Sequence, residues 1–160
     1  MHIRNSIAMF LCFLSLTGTA QYTLQGNAVP LGDDCYQLTD ALPTQVGAVW
    51  YDEPINLEQS FDLQFKMNFG DNQGNGSSAN PGGDGMMFVM QTIGPSAIGE
   101  LGQGMGFQGL LPSLGIEFDT YLNPDVGDLT EDHIGIISDG DVDHTAATAI
   151  AGPVTATSIG

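Results

Sequence analysis

The chain has 160 residues, enough for one domain, and its 19 acidic residues against two basic ones give a formal net charge of −17. All the acidic residues lie after Ala20, where Lys66 is the only base, so the charge from Gln21 onward is 1 − 19 = −18. Such a surface repels nucleic-acid phosphates and anionic membranes, which argues against both as partners, and it favours cations.

The N-terminus has the pattern of a signal peptide. Arg4 precedes an apolar run from Ile7 to Leu16, and small residues follow up to Ala20. The run is too short to span a bilayer, and no later stretch is apolar enough to do so. We therefore predict a signal peptide at residues 1–20 and a secreted or cell-surface protein without membrane insertion.

Cysteine usage limits the chemistry of the mature chain. Cys12 lies in the predicted signal peptide, which leaves Cys35 alone and excludes an internal disulfide or a cysteine zinc site. Burial of Cys35, or a partner beyond Gly160, would account for its unpaired state.

Short apolar runs and turn residues dominate the remaining sequence, which has no long helical periodicity. Phe61–Phe69 is the clearest strand pattern, because apolar and polar residues alternate along it. Gly70–Gly82 is predicted to be a loop. The predicted strands are, in chain order, Tyr22–Leu24, Cys35–Thr39, Val46–Tyr51, Phe61–Phe69, Met86–Gln91, Ser113–Tyr121 and His133–Ser138. This spacing favours one all-β domain, an antiparallel β-sandwich or jelly roll.

The stretch Gly115–Ile136 concentrates acidic residues between two predicted strands. Because side chains alternate along a strand, Glu117 and Asp119 would point to one face. Asn123 and Asp128 follow on a loop, and His133 opens the next apolar run. An oxygen-rich set with one imidazole suits a hard cation beside a transition metal.

Of two other interpretations of this stretch, the EF-hand fails and the glycosidase is disfavoured, because specific positions lack the required residues. An EF-hand loop starting at Asp119 would need glycine at its sixth position and glutamate at its twelfth, where the chain has Pro124 and Thr130. A retaining glycosidase with Glu117 as nucleophile would need a second glutamate at the position of Tyr121 or Leu122.

The stretch resembles the metal-binding segment of the L-type lectins, the family of the legume seed lectins. The match is continuous: Glu117-x-Asp119-x-Tyr121-x-Asn123-x-Asp125-x-Gly127-Asp128, then His133-Ile134-Gly135-Ile136. The resemblance implies a concanavalin-like sandwich with a transition-metal ion, usually Mn²⁺, and a Ca²⁺ ion. The implied Mn²⁺ ligands are Glu117, Asp119, Asp128 and His133. The implied Ca²⁺ ligands are Asp119, Asn123, Asp128 and the carbonyl of Tyr121.

Two glycine-rich stretches extend the resemblance to a sugar site. Gly83–Val89 resembles the segment whose aspartate, here Asp84, binds sugar hydroxyls after a cis peptide bond. Gly102–Phe107 resembles the loop whose backbone N–H reaches the sugar, with Gly104 favoured over Gly102 for that role. Asn123 would also hydrogen-bond the sugar hydroxyls, and Tyr121 would pack on the sugar ring.

Residues 21–160 are thus predicted to form an L-type lectin-like domain that binds glycans without catalysis. A family member would continue through further C-terminal strands, because such folds often need about 200–250 residues. We therefore expect an N-terminal fragment of a longer secreted protein. A glycoside hydrolase with Glu117 as nucleophile, or an adhesive module that has lost sugar binding, are the alternatives. The sequence does not indicate the sugar or the oligomeric state, and it assigns no role to His144.

Overall fold

The computed structural model describes residues 22–70, 83–156 and 159, and every strand pair in these ranges is antiparallel. The predicted signal peptide and nearly all of the predicted loop Gly70–Gly82 lie outside them. Short 3₁₀ helices occupy Gly102–Gly104 and Pro124–Val126. The strands are β1 (Tyr22–Gly26), β2 (Val29–Gly32), β3 (Cys35–Gln37), β4 (Gly47–Tyr51), β5 (Gly85–Gln91), β6 (Ser113–Asp119), β7 (His133–Ser138) and β8 (Ala149–Thr155). The all-β prediction is confirmed.

The strand predicted over Phe61–Phe69 is wrong. The segment has no regular secondary structure, and its apolar side chains are largely exposed, with Phe65 at 54%. Phe65 instead stacks on Phe88 of β5, with ring centroids 5.4 Å apart and ring planes 10° from parallel. A strand needs a partner edge for its backbone hydrogen bonds, and no strand among the described residues pairs with this segment.

Two strands of the structure, β2 and β8, were not predicted from the sequence. β2 contains Pro30 and Gly32, lies between the predicted strands Tyr22–Leu24 and Cys35–Thr39, and pairs with β3 through a register shift. β8 lies in the small-residue tail and pairs with β7, again with irregular register. Proline and glycine suppress the strand pattern at both places, yet edge strands tolerate them because one row of their backbone N–H groups needs no partner.

A four-stranded sheet in the order β5-β6-β7-β8 carries the core on one face. The core cluster is Phe107, Ile137 and Val142, packed with Met87 and Val89. Gly115 of β6 allows this packing, because a Cβ there would lie 3.0 Å from the Phe107 ring. The same face continues along β6 and β7 into polar residues, so the candidate site lies directly beside the core on one face of the sheet.

A two-stranded sheet of β1 and β4 supports the glycine-rich loop that follows β5. The Trp50 indole donates a hydrogen bond to the carbonyl of Ala97 (2.7 Å), and Gln25 donates one to the carbonyl of Pro95 (3.1 Å). A second small sheet pairs β2 with β3, where Cys35 is exposed. Burial therefore does not account for the unpaired state of Cys35.

Among the described residues, no helix reaches the length and apolarity needed to cross a bilayer.

Candidate functional site

The register of β6 against β7 brings three of the predicted metal ligands together. Asp119 lies directly opposite His133, and Glu117 lies opposite Gly135. Alternation along both strands turns Glu117, Asp119 and His133 to the same buried face, where each side chain is almost fully enclosed. The prediction that the two carboxylates share one face of a strand is met in this geometry.

The loop between β6 and β7 adds Asp128 and fixes the approach of Asn123 and Tyr121. The backbone N–H of Tyr121 donates to Asp119 Oδ1, and that of Asn123 donates to Asp128 Oδ2, each at 2.6 Å. The loop then passes through the 3₁₀ turn and Gly127, whose φ of 83° favours glycine. Asp119 and Asp128 thus each use one oxygen to hold the loop and keep the other for the cluster.

His144 is a further member of the cluster that the sequence analysis missed. Its Nε2 atom lies 2.8 Å from Glu117 Oε2 and 3.7 Å from Asp128 Oδ1. Its ring packs edge-on against His133, with centroids 5.3 Å apart. The close approach to Glu117 does not have the geometry of an ordinary hydrogen bond, and neither atom has another hydrogen-bond partner.

The loop Asp139–Thr148 holds His144 in place. The backbone N–H of His144 donates to the carbonyl of Val126 (2.8 Å). This bond ties the loop to residues 120–132 between β6 and β7, called the acidic loop below. Asp143 Oδ1 accepts hydrogen bonds from the N–H and the hydroxyl of Thr145, at 2.7 and 2.6 Å. Val142 anchors the loop in the core. Asp143, in the acidic run Asp139–Asp143, therefore stabilises the turn that presents His144.

The unsatisfied polar atoms of the cluster fit metal ions. Five buried atoms of the cluster lack a hydrogen-bond partner: Glu117 Oε2, Asp128 Oδ1, His133 Nε2 and both ring nitrogens of His144. Buried polar groups are normally hydrogen-bonded, so an unpartnered set this dense implies a missing ligand. Two sets of side chains each have ligand atoms within 4.8 Å of one another: Glu117, His133 and His144, and Asp119, Asp128 and His133. The first set is rich in nitrogen, and the second is rich in oxygen.

Titration of the cluster reflects its burial and its crowding of carboxylates. Burial, with Asp128 and Glu117 nearby, raises the pKa of Asp119 from 3.8 to about 7. The Glu117 carboxylate raises the pKa of His144 against the effect of burial. Burial lowers the pKa of His133, but the contacts with Asp128 and Asp119 outweigh it and raise that pKa overall. The cluster therefore attracts positive charge, whether protons or cations.

Asp84 meets the acidic loop next to this cluster. Its backbone carbonyl accepts hydrogen bonds from the N–H and the hydroxyl of Thr120, both at 3.0 Å, and the Gly83–Asp84 peptide is cis. Burial raises the pKa of Asp84, and hydrogen bonding to the Asn123 side chain partly offsets this. Tyr121 packs over Gly83, and the residue as a whole is 37% exposed. The predicted sugar-binding residues Asp84, Asn123 and Tyr121 thus share one surface.

Gly102, rather than Gly104, faces Asp84. A Cβ at Gly102 would lie 3.9 Å from Asp84 Oδ2 with no nearer neighbour. Gly104 is buried, its N–H donates to the carbonyl of Leu101 (3.4 Å), and a Cβ there would lie 3.1 Å from Glu100. The geometry favours Gly102 for the role that the sequence analysis gave to Gly104.

Comparison with known proteins agrees with this fold and site. The chain is 32% identical over 128 residues to a protein of Arabidopsis thaliana named "Putative L-type lectin-domain containing receptor kinase I.10". That alignment covers 71% of this chain and 19% of the length of the Arabidopsis protein. A family model described as the legume lectin beta-barrel domain matches residues 10–158. The chain therefore belongs to the legume lectin beta-barrel family, the L-type lectin domains, and is a carbohydrate-binding lectin domain by family.

Proposed function

We propose that this domain binds sugars in a metal-dependent way, through Asp84, Asn123, Tyr121 and the backbone N–H of Gly102. Asp84 would accept hydrogen bonds from two sugar hydroxyls, and Asn123 and Gly102 would donate to them. The exposed ring of Tyr121 would pack against the apolar face of the sugar. The oxygen ligands Asp119, Asn123, Asp128 and the Tyr121 carbonyl would hold Ca²⁺. Glu117 and His133, with Asp119 and Asp128, would hold a transition metal.

The observation that carries the proposal is that hydrogen bonds tie both Asp84 and Asn123 to the metal cluster. Asn123 follows Asp119 by four residues and donates its backbone N–H to Asp128. Asp84 is tied to Thr120, the residue directly after Asp119. Ions bound by Asp119 and Asp128 would therefore fix both halves of the sugar site. Such ions would supply charge neutralisation and rigidity and would not need to touch the sugar.

The burial of Glu117 argues against the glycosidase alternative. Glu117 is 1% exposed, and its Oε2 atom faces His144 in the interior. A glycosidase nucleophile must reach the anomeric carbon of a bound sugar, and its partner carboxyl must lie about 5–5.5 Å away across that sugar. The surface beside Asp84 leaves Glu117 no such access.

We further propose that the protein acts outside the cell. The pattern of a signal peptide at residues 1–20 supports export, and the strongly acidic surface suits a glycan partner better than an anionic one. The name of the Arabidopsis protein joins its lectin domain to a receptor kinase, and the chain spans about a fifth of that protein. Glycans of a polysaccharide or glycoprotein would be the extracellular partner.

Glycan-array binding should depend on metal. We expect binding by the purified chain with Ca²⁺ and a transition metal present, loss of binding after dialysis against EDTA, and recovery when both are restored. Without the ions, the buried carboxylates of the cluster repel one another and release the acidic loop. Binding that survives complete removal of metal, checked by elemental analysis, would contradict the metal-dependent site.

Asp84→Ala should abolish sugar binding without loss of metal. Hydrogen bonds to a charged group contribute about 1.5–3 kcal/mol each, so affinity should fall at least about tenfold. Metal content should stay at the wild-type level, because Asp84 lies outside both ligand sets. The exposed Glu53→Ala variant removes the same charge elsewhere and should match wild type in both measurements. If Asp84→Ala also loses metal, the division between sugar-binding and metal-binding residues is wrong.

A further inference from the structure

We propose that His144 is a direct ligand of the transition metal, so that this chain has a two-histidine centre of Glu117, His133 and His144 that takes Zn²⁺ in preference to Mn²⁺. The inference deepens the proposed function, since it rests on the same metal centre. The sequence match to the family supplies only one imidazole, and the second comes from the separate loop Asp139–Thr148.

The position of the imidazole carries the inference. His144 Nε2 approaches Glu117 Oε2 to 2.8 Å and lies within the same set as His133, yet its two ring nitrogens have no hydrogen-bond partner. Its side chain is 1% exposed. A buried imidazole with both nitrogens unsatisfied is costly unless one of them binds something. The side chain is aimed at the atoms that would hold the transition metal.

The surrounding backbone is shaped to admit this ring. Gly135 lies opposite Glu117 in the sheet, and a Cβ there would lie 2.7 Å from His144 Cε1 and 3.1 Å from Glu117 Oε2. Glycine in a strand interior weakens the strand and often marks a close approach by another group. The hydrogen bond from the His144 N–H to Val126 then fixes the approach from the other side. The ring therefore occupies a built position.

Ligand chemistry sets the expected metal preference. Carboxylates and water suit Mn²⁺, whereas imidazoles suit Zn²⁺, and two histidines with one glutamate form a known type of zinc site. Zn²⁺ also lies above Mn²⁺ in general affinity for mixed nitrogen and oxygen sites. A second imidazole should widen this difference. The oxygen-only ligands of the Ca²⁺ position should be unaffected by it.

Calorimetric titration of the EDTA-dialysed full chain with Zn²⁺, Mn²⁺ and Ca²⁺ tests the proposal. In His144→Gln, the amide can donate a hydrogen bond to Glu117 but offers no ring nitrogen. We expect Zn²⁺ affinity to fall more than about 100-fold, because even partners outside the ligand set are worth about 10–100-fold. Mn²⁺ affinity should fall less, and Ca²⁺ affinity should be unchanged. Asp139→Asn, an exposed charge change in the same loop, should bind all three ions as wild type does.

A second variant guards against misfolding and against a purely structural role for His144. Gly135→Ala keeps the imidazole but crowds it, so Zn²⁺ affinity should fall while circular dichroism and Ca²⁺ binding remain as in wild type. Visible absorption of bound Co²⁺ should change in both variants, since it reports the ligands. The two-histidine centre would be overturned if His144→Gln kept the Zn²⁺ affinity of the wild type, or if the wild-type chain bound Mn²⁺ more tightly than Zn²⁺. Either result would leave the proposed function standing. Failure of the wild-type chain to bind any of the ions would overturn both.

Discussion

Asp128→Asn should remove both metals and, with them, sugar binding. Asp128 Oδ2 holds the acidic loop through the Asn123 N–H, while Oδ1 is buried, unpartnered and 3.6 Å from His133 Nε2. The substitution keeps the shape of the side chain but removes the charge that the implied Mn²⁺ and Ca²⁺ ligand sets share. An amide that still accepts from Asn123 would turn its NH₂ group toward the two imidazoles. We expect the affinity for each ion to fall more than about 100-fold, since even partners outside a ligand set are worth about 10–100-fold.

Asp125→Asn is the matched control for this experiment. Asp125 lies three residues earlier in the same loop, is exposed, and belongs to neither ligand set. The variant makes the same charge change and should keep wild-type metal content by elemental analysis and wild-type binding on the glycan array. If Asp128→Asn retains one ion at wild-type affinity, Asp128 is not a ligand of both ions. If Asp125→Asn loses both ions, net charge rather than ligation determines binding.

Most of the metal cluster was predictable because its members are close in sequence. Glu117, Asp119 and His133 lie on two strands joined by a single loop, so alternation on each strand nearly determines which side chains meet. Asn123 and Asp128 lie on the connecting loop, four residues after Asp119 and five residues before His133, so the short loop keeps both near the cluster. Local chemistry of this kind does not require knowledge of the tertiary fold.

His144 was not predictable in the same way. It lies 11 residues beyond His133 and reaches the cluster only because its loop folds back over the sheet toward Glu117. The one sequence signal was Gly135, a glycine inside an otherwise apolar strand, which indicates that another group approaches closely. The turn residue Asp143 has a role only in three dimensions, because its hydrogen bonds to Thr145 stabilise the loop that presents the ring.

The errors in the strand prediction have a related cause. Phe61–Phe69 has an ideal alternating pattern, but a pattern specifies which face would be buried and does not supply the partner edge. β8 shows the opposite case, since Ala149–Thr155 has little hydrophobic pattern and contains Pro153, yet it pairs with β7. Pairing across strands is a tertiary property, and it overrode local preference at both places.

Removal of metal should reverse the pH dependence of stability. The pKa of Asp119 is about 7 in the folded protein, against 3.8 as the ordinary value. Between pH of about 4 and 7, the metal-free folded state therefore holds a proton that the unfolded chain has released, so its free energy of unfolding falls as pH rises. Across the whole range between the two pKa values, this shift lowers the free energy of unfolding by about 4 kcal/mol. The raised pKa values of His133 and His144 act in the same direction.

Bound metal should show the opposite trend, because the ligands must lose their protons to bind an ion. We expect the Tm of the EDTA-dialysed protein, followed by circular dichroism, to decrease from pH of about 5 to about 8, and the Tm with saturating Ca²⁺ and Zn²⁺ to increase over that range. The gap between the two curves should be widest at the higher pH, where saturation at about 1,000 times Kd is worth about 4 kcal/mol per ion. Asp119→Asn, which cannot titrate there, should flatten the metal-free curve. A metal-free Tm that rises with pH would mean that Asp119 is ionised in the folded, metal-free protein. Burial in the cluster would then not raise the pKa of Asp119, which contradicts the expected pH dependence.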